Sequence, residues 1–140
     1  MNSIRVFFYG LFMDESLLAS KGVHPTESAV GHVDGLSLHI GKRATLLPEA
    51  NGRAHGVLMK LTTQEVAALY AEPGLADYVA EPVVVTLPGA IGVPAVCYNL
   101  PASKLSGTNP DYAAALLKLA ARLGLPDSYL GRIRDAIDVS

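Results

Sequence analysis

After Arg5 the chain is apolar without a break from Val6 to Tyr9 and then stops at Gly10. That pattern predicts a buried first strand over residues 4–9, closed by a tight turn. Asp14 precedes Glu15, Ser16, Leu17 and Leu18, an N-cap acid followed by leucines that predicts a short helix. Between Ser28 and Lys60, apolar runs are interrupted by Gly31, Gly35, Gly41 and the Asn51-Gly52 pair, which predicts several short strands joined by turns. Thr62 with Glu65 three residues later forms a capping box for a helix of about two turns carrying Val66, Leu69 and Tyr70, ended by Pro73 and Gly74. Strands over 82–87 and 93–100 flank Pro88-Gly89 and predict a hairpin. Ala113, Leu116, Leu117 and Ala120 repeat at helical spacing across 110–122, with Asn109 as N-cap, Pro110 at the first position and Gly124 past the end. A last helix starts at Pro126 and carries Tyr129, Leu130, Ile133 and Ile137. With no internal repeat and no Gly/Ser-rich linker, residues 1–140 read as one domain.

Composition narrows the classes. Half the residues are hydrophobic and 17% are charged, a balance that supports a packed core and argues against disorder. The net charge of -2 arises from interspersed acids and bases, so there is no basic block to drive counterion release, and nucleic acid is not an expected partner. The opening apolar run is too short to span a membrane and lacks the flanks of a signal peptide, so a cytoplasmic protein with no membrane partner is expected. The lone Cys97 has no internal disulfide partner and fits a reducing compartment.

Most candidate chemistry is weak on residue pattern alone. His24, His32, His39 and His55 lack the spacing and acidic company of a metal site, so no metal is expected. Cys97 in an apolar strand reads as a buried thiol. Gly41-Lys42-Arg43 lacks the remaining glycines and the Ser or Thr of a phosphate loop, and Arg43 and Arg53 read as exposed strand ends that could meet a carboxylate. Glu72, taken on composition, is a solvated acid at a helix end.

Three blocks in order change that reading. VFFYGLFMDESLL resembles the entry motif of γ-glutamylcyclotransferase-like (AIG2-like) proteins, in which a strand delivers Tyr-Gly to a ligand-binding turn. ATLLPEANGRAHGVLMKLTTQEVAALYAEPG is similar to the family's run of strand, loop, Gly-Val strand and short helix leading to an acid before glycine. NPDYAAALLKLAARLGLPDSYLGRI resembles the closing segment, where Pro-x-Tyr and Gly-Leu-Pro-x-x-Tyr open successive helices. The resemblance covers nearly the whole chain. It implies an α+β fold, a twisted mixed β-barrel or sheet flanked by short helices, with C-terminal helices. It also implies a cofactor-free reaction that releases 5-oxoproline from a small γ-glutamyl amine or peptide.

In that reaction the substrate's α-amino group attacks its own γ-carbonyl. The ammonium must lose a proton and the leaving amine must gain one, a task for a single carboxyl acting as base and then acid. The resemblance places Glu72 in that role, with Glu81 and then Asp77 as rival acids. It places Tyr9, Gly10, Leu11 and Phe12 at the substrate, their turn offering backbone N–H groups to a carboxylate or oxyanion. Tyr78 and Tyr112 match family tyrosines near the pocket. The chain departs from the family at Leu11, where Ser or Thr is usual, at Pro73, which separates the acid from its glycine, and at Ala68-Leu69, in place of Leu-Asp. The departures at Leu11 and Pro73 favour the alternative of a non-catalytic relative that binds a carboxylated metabolite or protein partner. Many relatives form homodimers, so self-association is a further expectation.

Overall fold

The computed structural model describes residues 2–138, and five strands close into a mixed barrel. The strands are β1 (Ser3–Phe8), β2 (Glu27–Ile40), β3 (Ala44–Thr62), β4 (Val79–Leu87) and β5 (Ile91–Asn99). Around the barrel their order is β1-β3-β2-β4-β5. All neighbours are antiparallel except β1 and β5, whose parallel pairing at Val6 and Val96 completes the circuit. Four helices lie outside: α1 (Glu15–Ser20), α2 (Thr63–Leu69), α3 (Pro110–Arg122) and α4 (Asp127–Asp138).

The helix starts follow from side-chain chemistry. The Asp14 carboxylate accepts from the Ser16 amide at 2.9 Å, and Asn109 accepts from Tyr112 at 3.0 Å. At α2 the capping box is reciprocal: Thr62 Oγ1 accepts from the Glu65 amide, and Glu65 Oε1 accepts from the Thr62 amide. The apolar stripe of α3 buries Ala113, Leu116, Leu119 and Ala120, leaving Leu117 half-buried at the stripe's edge. From α4, Tyr129 and Ile133 complete this part of the core, while the side chain of Ile137 lies outside the described residues.

The middle of the chain differs from the several short strands expected there. It forms two long strands, 14 and 19 residues, joined by one reversal at 41–43. The glycines and the Asn51-Gly52 pair do other work. Between the pairs Asp34–Arg53 and Leu36–Pro48, Gly35 in β2 stands opposite residues 49–52 of β3, so the expected turn is a bulge within a continuous strand. Gly31 sits where β2 meets β4. A Cβ there would lie 2.9 Å from the Thr86 carbonyl oxygen, so the missing side chain admits the crossing strand.

Gly56 plays the same part against β1, since a Cβ would lie 2.2 Å from the Phe8 carbonyl oxygen. Gly56→Ala should therefore destabilise the fold by about 1–3 kcal/mol through forced separation of β1 and β3. Gly131→Ala, in α4 with open space at its Cβ position, should stabilise it by about 0.5–1 kcal/mol. Urea-denaturation midpoints of the two variants against the parent check both signs.

Candidate active site

The end of β1 forms one wall of the site. Phe7, Phe8 and Tyr9 are buried, and the chain then bends through Gly10 into a short 3-10 turn, Leu11–Met13, held by Met13 N–H donating to the Gly10 carbonyl at 3.0 Å. Tyr112, from the first turn of α3, reaches this bend, and its hydroxyl accepts the Leu11 N–H at 3.3 Å. Gly10 leaves room for that hydroxyl, because a Cβ would lie 2.4 Å from it. The Gly10 and Phe12 amides have no acceptor on the chain among the described residues.

The second wall is the segment after α2. The helix ends at Tyr70, and Glu72 stands in extended conformation before a 3-10 turn, Pro73–Leu75, whose Leu75 N–H donates to the Glu72 carbonyl at 2.9 Å. Pro73 occupies the first position of that turn, where its fixed φ fits and its missing N–H costs nothing. Tyr78 closes the segment by donating its hydroxyl to the Ala44 carbonyl at 2.5 Å.

Between the walls lies a cavity of about 380 Å³. It is lined by Tyr9, Gly10, Leu11 and Phe12, by Glu72, Tyr78 and Tyr112, and by further residues that include Lys21, Arg43, Tyr70 and Tyr98. Every residue that the sequence analysis placed at the substrate thus borders one space. The rival acids lie elsewhere. Asp77 is exposed, and Glu81 accepts from Asn99 Nδ2 at 2.9 Å; neither borders the cavity.

The interior is aromatic. Tyr70 and Tyr98 stack at 4.0 Å between ring centroids, and Phe12 meets Tyr70 edge-on at 6.0 Å. Burial pushes the phenols of Tyr9, Tyr70 and Tyr112 above the ordinary tyrosine range, and that of Tyr78 up to about 12, so all four stay protonated at neutral pH. The Tyr9 proton goes to the Tyr98 carbonyl at 2.7 Å, and the Tyr78 proton to Ala44. Tyr112 accepts from Leu11 and has no acceptor for its own proton among the described residues, which leaves that proton available to a bound oxygen.

Charge is confined to the rim. Lys21 Nζ lies 2.5 Å from Glu72 Oε1, with 31% and 44% of the two side chains exposed. Arg43, at the β2–β3 reversal, has its guanidinium against Gly74. Sequence reasoning missed Lys21, Tyr70 and Tyr98 and left Arg43 among exposed strand ends. Nothing local in the sequence marks Lys21, the residue that caps α1 51 positions before its partner.

This chain has the fold of solved structures described as a γ-glutamyl cyclotransferase and an AIG2-like protein. The solved structures it resembles include one described as a γ-glutamyl cyclotransferase, at 18% identity and a TM-score of 0.76, covering 95% of this chain and 87% of the other. YkqA from Bacillus subtilis superposes with a TM-score of 0.81 at 20% identity, over 99% of this chain and 55% of YkqA. An AIG2-like protein from Mus musculus aligns at 15% identity and a TM-score of 0.57, over 90% and 86% of the two chains. No family model and no curated protein sequence matches the chain. Among the described residues no helix is long and apolar enough to cross a membrane.

Gly10→Ala should destabilise the chain by about 1–3 kcal/mol, and Tyr112→Phe, by removing the clashing oxygen, should recover most of that loss. A double-mutant cycle in urea checks the coupling; additive effects would contradict the contact. The raised phenol pKa values also carry a sign. Tyr9, Tyr70, Tyr78 and Tyr112 hold their protons more tightly folded than unfolded, so their contribution to stability is complete below about pH 10 and is lost as pH rises towards about 12. Denaturation midpoints at pH 8, 10 and 11.5 should fall in that order.

Proposed function

We propose that the cavity binds a γ-glutamyl compound and releases 5-oxoproline from it by intramolecular aminolysis, with Glu72 as general base and then general acid. The observation that supports this reading is that Glu72, alone among the three candidate acids, borders the same cavity as the Tyr9–Phe12 bend.

The Lys21–Glu72 pair suits an amino-acid head group. A substrate's α-ammonium can replace the Lys21 ammonium on Glu72, while its α-carboxylate takes Lys21, so one ion pair becomes two without leaving a charge unpaired. The γ-carbonyl oxygen then lies towards the bend, where the Gly10 and Phe12 amides and the Tyr112 hydroxyl are donors for the developing oxyanion. Glu72 takes a proton from the α-ammonium, and the freed amine attacks the γ-carbon. The C–N bond to the leaving group breaks as Glu72 returns that proton to the departing amine, and the second proton shed by the ring nitrogen as the new amide forms goes to the released amine, which leaves as an ammonium. The products are 5-oxoproline and a free amine, with no water consumed. Holding the chain curled between rim and bend brings amine and carbonyl together, and that proximity lowers the barrier.

The Lys21 contact also favours a second reading, a binding protein in which Glu72 stays salt-bridged and never acts as base. The two separate on one measurement. Under the catalytic reading, purified protein forms 5-oxoproline from γ-glutamyl compounds, Glu72→Gln lowers the rate by about 100-fold or more, and Asp77→Asn leaves it unchanged. Saturable binding with no 5-oxoproline from any member of a γ-glutamyl panel would leave only the second reading.

A further inference from the structure

The charges on the cavity rim do not balance. Among the described lining residues Lys21 and Arg43 are cationic and Glu72 is the one carboxylate. Lys21 pairs with Glu72, whereas Arg43 has no acid within ion-pair distance among the described residues. Arg43 is also held in place from several sides. The Gly41 N–H donates to its carbonyl at 3.0 Å, the Lys42 N–H donates to Ser106, and Asn109 Nδ2 donates to the Lys42 carbonyl, so the reversal is tied to the loop before α3. Its guanidinium packs on Gly74, two residues past Glu72, and its charge is felt at the Tyr78 phenol.

An amino-acid head group uses Glu72 and Lys21 and leaves this second cation without a partner. We propose that Arg43 is a specificity residue that receives a carboxylate on the leaving amine, selecting γ-glutamyl amino acids or peptides over γ-glutamylamines. A γ-glutamyl amino acid carries two carboxylates and one ammonium, the complement of a rim with two cations and one anion. Arginine suits the task because its planar fork engages both oxygens of a carboxylate. The side chain of the leaving residue faces Phe12, Tyr70, Tyr98 and Leu75, so an apolar one is accommodated best. The inference rests on the proposed γ-glutamyl site and assigns its far end.

The test compares γ-glutamyl-leucine with γ-glutamyl-3-methylbutylamine, which differs only in lacking the leaving-group carboxylate. Parent protein should prefer the leucine compound by about 10- to 100-fold, in kcat/KM where 5-oxoproline forms and in Kd where it does not. Arg43→Met should bring that ratio close to one, Arg43→Lys should retain part of it, and Lys21→Met should weaken both compounds while keeping the ratio. A ratio near one in the parent, or a ratio that survives Arg43→Met or collapses in Lys21→Met instead, overturns the assignment. Binding preference that depends on Arg43 without any 5-oxoproline upholds Arg43 and rejects the reaction. Failure of both compounds to bind or react rejects both.

Discussion

Two phenol-to-carbonyl hydrogen bonds hold the site together. Tyr9, at the end of β1, donates to the Tyr98 carbonyl on β5, and Tyr78, beyond the Glu72 segment, donates to Ala44 at the start of β3. The Tyr9 bond secures the seam where β1 and β5, paired in parallel at Val6 and Val96, close the barrel. Tyr78 fastens the acid-bearing loop to the barrel rim. Both bonds are partly shielded from water, so each contributes on the order of 1 kcal/mol, more than a fully exposed contact. The distance across the cavity from the Tyr9–Gly10 bend to Glu72 is thus set by backbone atoms of β3 and β5, with side chains as the struts.

That framework explains why the cavity is neutral inside and charged at its rim. Aromatic walls of Phe8, Phe12, Tyr70 and Tyr98 make a poor solvent for an ion, and a charge placed there without partners would be heavily penalised. Lys21, Arg43 and Glu72 stay at the mouth, where water reaches them and the surface value of an ion pair is small. A ligand that covers the mouth changes those terms. Once water is excluded, each charge interacts more strongly with whatever faces it, so a ligand matching the rim charge by charge is favoured over one that leaves a cation bare.

Local chemistry made much of this legible in the sequence. The capping box at Thr62 and Glu65, the caps at Asp14 and Asn109 and the helix-terminating Gly124 act over four or five residues, and each lies where the residue pattern placed it. The middle strands were misread because glycine has two uses. At Gly31 it admits a crossing strand rather than reversing the chain, and nothing within a few residues separates a turn from a close approach across a barrel. Lys21, Tyr70 and Tyr98 were invisible for a related reason. Their roles come from partners in other elements, brought together only when the barrel closes, and a lysine that ends a short surface helix looks the same with or without Glu72 beside it.

The departures at Leu11 and Pro73 then take on a different meaning from the one they carried in the sequence. A hydroxyl does lie at the Leu11 position, but it belongs to Tyr112, which meets the Leu11 amide from α3 and fills the space that Gly10 leaves open. Pro73 does not displace the acid. It opens the 3-10 turn that holds Glu72 extended at the cavity edge, and Gly74 behind it leaves the surface on which Arg43 lies. With Leu11 and Pro73 in place, the bend and Glu72 still border one cavity, because the first is set by β1 and Tyr112 and the second by the turn that follows α2.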